Sequence, residues 1–418
     1  MSKGDLKEDR MFTLWRMAYR NLSRNRRRTV LTLLVVTLGV ALLVTLAGFV
    51  EGEIDSVLSN GIRLETGHIQ LREESYEAEK LSLAWEDLLE DPATLATQAE
   101  TLDEVRVATP VLWSSGILSA GEDSVSLRIY GIDPQSEAFV PFREGLVDGQ
   151  FLAPDDREGI LISRRLARNL GLAVGSDVSL LTSTANQRPD EAIFTVRGVF
   201  DSGVPVYDET TVLLPLAKAQ TFTRTEGHAS AVWMLLEDRE QADLVAQKLD
   251  APQFRIVTWE DLNTALLSSL DEAMGIMYLM YLVMLAVVAV IVANTLLMSV
   301  FERTQEMGIL AALGMKSRQL LSLFLLEAGT LGLIGVLVGV LLGSLGVLYL
   351  ATVGVDIGEL STAVAYSDLT IPSKIYAKFA LDQTITLSLM CLVITLAASL
   401  YPAWLGARME PVEALRAL

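Results

Sequence analysis

Cysteine occurs once in the 418 residues, at Cys391, so no disulfide can close within the chain and any folded domain must hold through its core alone. Histidine occurs twice, at His68 and His228, with no HExxH pair, and no GxSxG elbow is present. These absences leave no nucleophile, base or zinc set for hydrolytic chemistry. A lone histidine beside a strand is ordinarily a hydrogen-bonded structural residue. A phosphate-cradling loop is missing as well. The nearest approach, Gly308 to Ser317 (GILAALGMKS), puts Met315 between Gly314 and Lys316, sets the first glycine one position too far away, and follows an apolar helix rather than a strand. The chain therefore reads as non-catalytic, without a metal or cofactor of its own, and ATP hydrolysis has to come from another polypeptide.

Positive charge is scarce: 33 Lys and Arg stand against 52 Asp and Glu, a net of −19. The deficit is uneven. Residues 51–273 hold 17 basic and 40 acidic side chains, a net of −23, while the remainder carries a net of +4. An acidic middle excludes nucleic acid, whose phosphates need a basic face. Acidic sequence outside and basic ends inside is the polarity expected of a membrane protein that obeys the positive-inside bias.

Apolar sequence, by contrast, is abundant, with 51% hydrophobic residues and a mean hydropathy of +0.39. Thr29 to Val50 follows Arg24, Arg26, Arg27 and Arg28 directly. About 20 apolar residues cross a hydrocarbon core of roughly 30 Å as a helix. No small-residue cleavage pattern follows, so this run reads as an uncleaved signal anchor. The predicted fold is an α-helical membrane protein with four transmembrane helices and a large external (periplasmic) α/β domain inserted between helices 1 and 2. Its expected segments are a cytoplasmic basic stretch (1–28), a first span (29–50), the external domain (51–273), a second span (274–300), a cytoplasmic coupling segment (301–319), a third span (320–351), an external loop (352–382), a fourth span (383–405) and a cytoplasmic tail (406–418). The expected location is the inner (cytoplasmic) membrane, multi-pass, with both termini cytoplasmic and the large domain periplasmic or extracellular.

Several local patterns refine that outline. Arg16, Arg20 and Arg24 recur every four residues opposite Leu14, Trp15, Ala18, Tyr19 and Leu22, which predicts an interfacial helix over Met11–Arg24 or a plain basic anchor. Leu262, Leu266, Leu270 and Met274 form one stripe without Gly or Pro, so the second span reads as the continuation of a helix begun outside the bilayer. In the third span Gly335, Gly339 and Gly343 recur every four residues and permit close helix contact, either within the chain or with a partner. In the external domain, strands are predicted at His68–Leu71, Ser124–Tyr130, Ile193–Phe200, Thr211–Leu214 and Ala231–Leu235. Helices are predicted at Pro92–Leu102 and Arg239–Leu249, and two lobes meeting near Gly145–Asp156.

The segment after the second span, Phe301 to Gly314, has the pattern of a short amphipathic helix ending at a glycine. Glu302, Arg303 and Glu306 occupy its first turns. Met307, Leu310 and Leu313 are spaced to fill a groove on a partner. ERTQEMGILAALGMKSRQL resembles the coupling segment of the MacB/FtsX superfamily of ABC transporter permeases, whose usual form is ER-x-x-E-I-G-x-L-x-A-L-G. Tyr401–Leu418, YPAWLGARMEPVEALRAL, resembles the same superfamily's closing segment, YPA-x-x-A-x-x-x-P-x-x-AL. Three further stretches resemble the lipoprotein-releasing LolC/LolE type: TGHIQL at Thr66–Leu71, GQFLAPDDREGILISRRLARNLGLAVGS from Gly149, and IPS at Ile371–Ser373. No hook-like insertion for recruiting a chaperone is visible.

The resemblance implies a permease subunit of an ATP-driven transporter of the mechanotransmission type, which extracts or extrudes lipoprotein from the inner membrane. Efflux of a drug, peptide or lipid by the same machine, or FtsX-like signalling to a cell-wall hydrolase, are the alternatives. The implied partners are an ABC ATP-binding subunit dimer, which binds ATP and Mg, a second permease copy or paralogue, and a lipoprotein or other amphipathic substrate. Glu302, Arg303, Glu306, Gly308, Leu310, Ala312, Leu313 and Gly314 are the implied ATPase-coupling residues.

Overall fold

The computed structural model describes residues 26–77, 80–249, 251–357 and 373–408. The expected interfacial helix Met11–Arg24, residues 358–372 of the 352–382 loop including Ile371 and Pro372, and the tail after Arg408 lie outside the described residues. Two compact units make up the chain. One comprises Met1–Glu53, Leu270–Val355 and Tyr376–Leu418, and the other Ile54–Ser269 with Asp356–Ile375.

In chain order the principal elements are α1 (Arg26–Gly61), β1 (Ile69–Arg72), β2 (Leu89–Glu90), α2 (Pro92–Ala99), β3 (Val105–Ala120), β4 (Asp123–Ile132), β5 (Leu146–Gly149) and β6 (Gly159–Ser163). They continue with α3 (Arg164–Asn169), β7 (Asp177–Ser183), β8 (Pro189–Phe200), α4 (Pro205–Thr210), β9 (Thr211–Pro215), α5 (Leu216–Thr223), β10 (His228–Ala229), β11 (Ala231–Leu236), α6 (Ala242–Lys248) and β12 (Arg255–Thr258). The long helix α7 (Thr264–Glu302), the short α8 (Thr304–Ala312), α9 (Ser317–Val353), the two-residue strands β13 (Val355–Asp356) and β14 (Lys374–Ile375), and α10 (Leu381–Ala407) follow.

The unit built mainly from Ile54–Ser269 is mixed α/β. Ten strands form one sheet in the order β12-β1-β11-β3-β4-β9-β6-β8-β5, with β7 pairing both β3 and β8. Most pairs are antiparallel, while β4–β9 and β6–β8 run parallel. Every residue of β6 and β9 is buried, as strands covered on both faces require. In β7, Val178, Leu180 and Thr182 are buried while their neighbours are not, the alternation of a strand with one wet face. Two hydrophobic clusters fill the unit. An aliphatic one includes Leu118, Ile129, Ile160, Leu180 and Phe194. An aromatic one includes Tyr76, Trp113, Tyr130, Phe142, Tyr207 and Trp233. Both clusters lie within this unit. In this unit Arg72 is buried with its guanidinium 5.3 Å from the Tyr76 ring centre and 5.4 Å from that of Trp113, and its Nε donates to Gln70 Oε1 at 2.7 Å. The ring faces supply negative potential to a cation withdrawn from water.

The other unit holds the greater part of the long apolar helices. Thr29–Thr66, Thr264–Glu302, Ser317–Val353 and Leu381–Ala407 are long and apolar enough to cross a membrane. A short turn, Trp259–Leu262, precedes α7, so the expected stripe belongs to one helix only from Leu266 onward. The glycine row of α9 packs within the chain. A Cβ on Gly335 would lie 2.7 Å from Val36 Cγ1, one on Gly339 2.7 Å from Val40 Cβ, and one on Gly343 2.7 Å from Val44 Cβ. Thr37 and Thr45 on α1 add hydroxyl donors at 3.3 Å to the carbonyls of Gly335 and Gly343. Small residues on one helix thus admit β-branched ones on the other, and the close approach brings hydroxyls to backbone acceptors.

Candidate functional site

Helix α8 carries Glu306, Gly308, Leu310 and Ala312 of the predicted coupling residues, while Glu302 ends α7, Arg303 lies between the two helices, and Leu313 and Gly314 follow α8, whose sequence dictates both ends. Arg303 forms a one-residue break after α7. Gly314, at φ +94°, closes the far end, where Leu313 N–H donates to Ile309 O at 3.0 Å and Met315 N–H to Leu310 O at 3.1 Å. Only glycine adopts that backbone without strain, which is why the helix stops there.

Between these ends the helix is two-faced. Met307 is buried in a cluster with Val300, Leu320, Phe324, Ala403 and Ala407, and Leu310 is half-buried against it. Gly308 is also buried. The small residues of α10 make room: a Cβ on Gly406 would come within 2.9 Å of the Phe324 ring. Glu302, Gln305, Ile309, Ala312, Leu313 and Gly314 face outward, with Leu313 79% exposed. Of the three apolar residues expected to fill a partner's groove, only Leu313 is therefore fully presented. Ile309, 51% exposed, joins it on the outward face, and the sequence reading passed it over.

The charged residues divide in the same way. Arg303 is buried, and its Nε donates to Glu306 Oε2 at 3.2 Å while its Nη1 donates to Glu327 Oε2 at 3.3 Å. Glu306 is half-buried and Glu302 exposed. Glu327 on α9 was not foreseen. The available signal was its position as the one carboxylate inside the apolar run Ser317–Val353, since a charge in such a run is a functional hypothesis by default.

In the α/β unit no group of three His, Cys, Asp or Glu is placed to hold a metal among the described residues. A polar cavity of about 400 Å³ is lined by Arg164, Arg165, Arg168, Asp201, Asp208 and Ser373, among others. Burial lifts the Asp208 carboxyl to about 6, although its Oδ1 accepts from Ser202 N–H at 3.1 Å. His68 is held the other way. Burial and the nearby Arg239 lower it to about 4, and its Nδ1 accepts from Leu236 N–H at 2.8 Å, so the ring is neutral and structural at physiological pH.

Comparison with known proteins decides the family. Residues 29–251, more than half of the chain, match the MacB-like periplasmic core domain. The chain belongs to this family. Residues 278–411 match the FtsX-like permease C-terminal domain, a span that contains all of α8, α9 and α10 and the larger part of α7. The protein is thus an ABC-type permease of the MacB/FtsX superfamily, an inner-membrane protein with a MacB-like periplasmic domain. It is 27% identical over 339 residues to the lipoprotein-releasing system transmembrane protein LolC of Xylella fastidiosa (strain 9a5c), covering 76% of this chain and 79% of that one. An uncharacterized ABC transporter permease of Methanocaldococcus jannaschii is 22% identical over 417 residues, 96% of each chain. The macrolide export ATP-binding/permease protein MacB of Pectobacterium atrosepticum is 25% identical over 421 residues, 98% of this chain and 61% of that longer one.

Proposed function

We propose that this MacB/FtsX-type permease works as one of two permease subunits, identical or paralogous, seated on a dimer of ATP-binding subunits that hold ATP and Mg. The outward face of α8 carries the proposal: Ile309 and Leu313 are large apolar side chains on a short helix whose opposite face is already buried. Such a helix suits a groove on a partner. With both termini cytoplasmic, as the basic ends favour, nucleotide-driven closure of the ATPase pair presses on Glu302 to Gly314, and α7 carries the displacement toward the periplasmic domain.

The cargo we propose is lipoprotein drawn from the inner membrane, on the strength of the likeness to LolC. ATP is needed because each CH₂ moved from lipid to water costs about 0.8 kcal/mol, so one acyl chain costs on the order of 10 kcal/mol. A second reading, efflux of a small amphipathic compound, draws on the match to MacB over 98% of this chain.

A pull-down of the full chain from its native membrane in mild detergent, with mass spectrometry of proteins and lipidated species, tests both. The expected outcome is co-recovery of an ATP-binding subunit and acylated proteins. The Leu313→Asp variant should lose the ATPase while remaining in the membrane. An ATPase without acylated proteins would favour efflux, and no ATPase with the unaltered chain would remove the coupling role of α8.

A further inference from the structure

In the helical unit, the charged residues buried most deeply among those described are Arg303 and Glu327, at 7% and 1% exposure. They do not belong to one helix. Arg303 occupies the break between α7 and α8, and Glu327 lies ten residues into α9, about 15 Å along it at 1.5 Å per residue. The surroundings are apolar: Phe324, Ala328 and Leu331 are buried nearby on α9, and Val300 and Met307 flank Arg303 in sequence. Removing a guanidinium and a carboxylate from water costs several kcal/mol each, and packed apolar side chains of the same size would serve stability as well or better. A pair held at that cost fixes geometry. Arg303 also spans two elements at once, since its fork reaches Glu306 on α8 and Glu327 on α9.

We propose that Glu327 is a positioning residue of the coupling segment, acting through Arg303 to clamp the α7–α8 joint onto α9. This rests on the coupling role proposed for α8. Without the clamp, the single non-helical residue between α7 and α8 is a hinge, and a push on Ile309 and Leu313 is absorbed by bending there. With it, α7 and α9 receive the displacement together.

Two measurements on the full chain test this. The first is ATP hydrolysis by the permease–ATPase complex in nanodiscs, with and without a triacylated lipopeptide. Glu327→Gln keeps the shape and removes the charge. It should leave basal hydrolysis within twofold and cut the stimulation by lipopeptide at least fivefold. The double variant Arg303→Met/Glu327→Leu, in which packed apolar side chains replace the buried pair, should recover stimulation to within twofold of the unaltered protein.

The second measurement needs no ATPase. Nitroxide labels at Ile309→Cys on α8 and Leu333→Cys on α9, both exposed sites, in a Cys391→Ala background, report the α8–α9 distance distribution. It should widen at least twofold in Glu327→Gln and narrow again in the double variant. An unchanged distribution overturns the clamp. A widened distribution with full stimulation overturns its part in coupling. If the unaltered permease retains no ATPase but Glu327→Gln still widens the distribution, the coupling reading of α8 fails and the clamp stands.

Discussion

Asp208 and His68 titrate in opposite senses within one domain. Asp208 is raised from its ordinary 3.8 to about 6, so between those values the folded chain keeps a proton that the unfolded chain has lost, and stability falls as pH rises. His68 is lowered from 6.5 to about 4, so across that window the unfolded chain binds the extra proton and stability falls as pH drops. Each shift corresponds to about 3 kcal/mol at most, less for His68 once its partial exposure to solvent is discounted. The two slopes oppose each other between about pH 4 and 6, and thermal unfolding followed by tryptophan fluorescence reads how each variant changes the pH dependence of the midpoint relative to the unaltered protein. Asp208→Asn should tilt it toward a rise with pH. His68→Asn, whose amide oxygen can still accept from Leu236 N–H, should tilt it toward a fall. Parallel profiles for both variants would refute the assignment of these shifts. Neither group was singled out for titration in the sequence, because burial is a product of packing: His68 reads only as a lone histidine beside a strand, and Asp208 as one of 52 acidic residues.

At the level of elements, the tightest test is the seam between α1 and α9. A Cβ on Gly339 would meet Val40 Cβ at 2.7 Å and the Thr37 carbonyl at 2.8 Å, and the latter is backbone that cannot rotate aside. Gly339→Val should destabilise the helical unit by roughly 1–3 kcal/mol, seen as a lower unfolding temperature in detergent. Gly275→Ala on α7 is the control, since a Cβ there meets nothing within 4 Å and alanine favours helix. Equal effects at both sites would mean the seam is not close-packed.

The apolar helices were legible because a run of some 20 apolar residues has one structural outcome in a bilayer, and the end of α8 was legible because Gly314 can hold φ +94°. Strand β3 was not. Its 16 residues include Pro110 and Gly116, which locally argue against a strand. Tertiary pairing overrides them: Pro110 sits opposite Val232, and Gly116 between Ile129 and the β7 backbone, where a Cβ would lie 2.8 Å from Leu181 O. The inward turn of Met307 was equally hidden, since helical periodicity identifies a face but not what covers it.

For the whole molecule, charge bias and hydropathy together fix an expected sidedness. Ile193, 69% exposed in the α/β unit, should react from outside the cell membrane as Ile193→Cys with an impermeant maleimide in spheroplasts. Leu313→Cys should react only after permeabilisation, and the buried Cys391 should stay silent in both cases. Labelling of Leu313→Cys from outside would invert the topology. The broad architecture, long apolar helices and an acidic domain, was legible because it rests on sums over many residues. The pairing of Arg303 with Glu327 depends on a single side chain reaching across 24 positions of sequence, which no sum reports.

The α/β unit takes in Asp356–Ile375 as well as Ile54–Ser269, with Ser373 N–H bonded to Gly203 O at 2.9 Å. The ribosome therefore releases the last piece of this domain only after the residues between Ser269 and Asp356 have been made. At about 5–20 residues per second the delay is roughly 4 to 17 s. During that interval the sheet can pair, because β1 to β12 are already present, but the contact at Gly203 waits for a segment still inside the translation and insertion machinery. Completion of the domain is thereby tied to delivery of the third long helix, and a chain halted before Asp356 leaves the Gly203 carbonyl without its Ser373 donor.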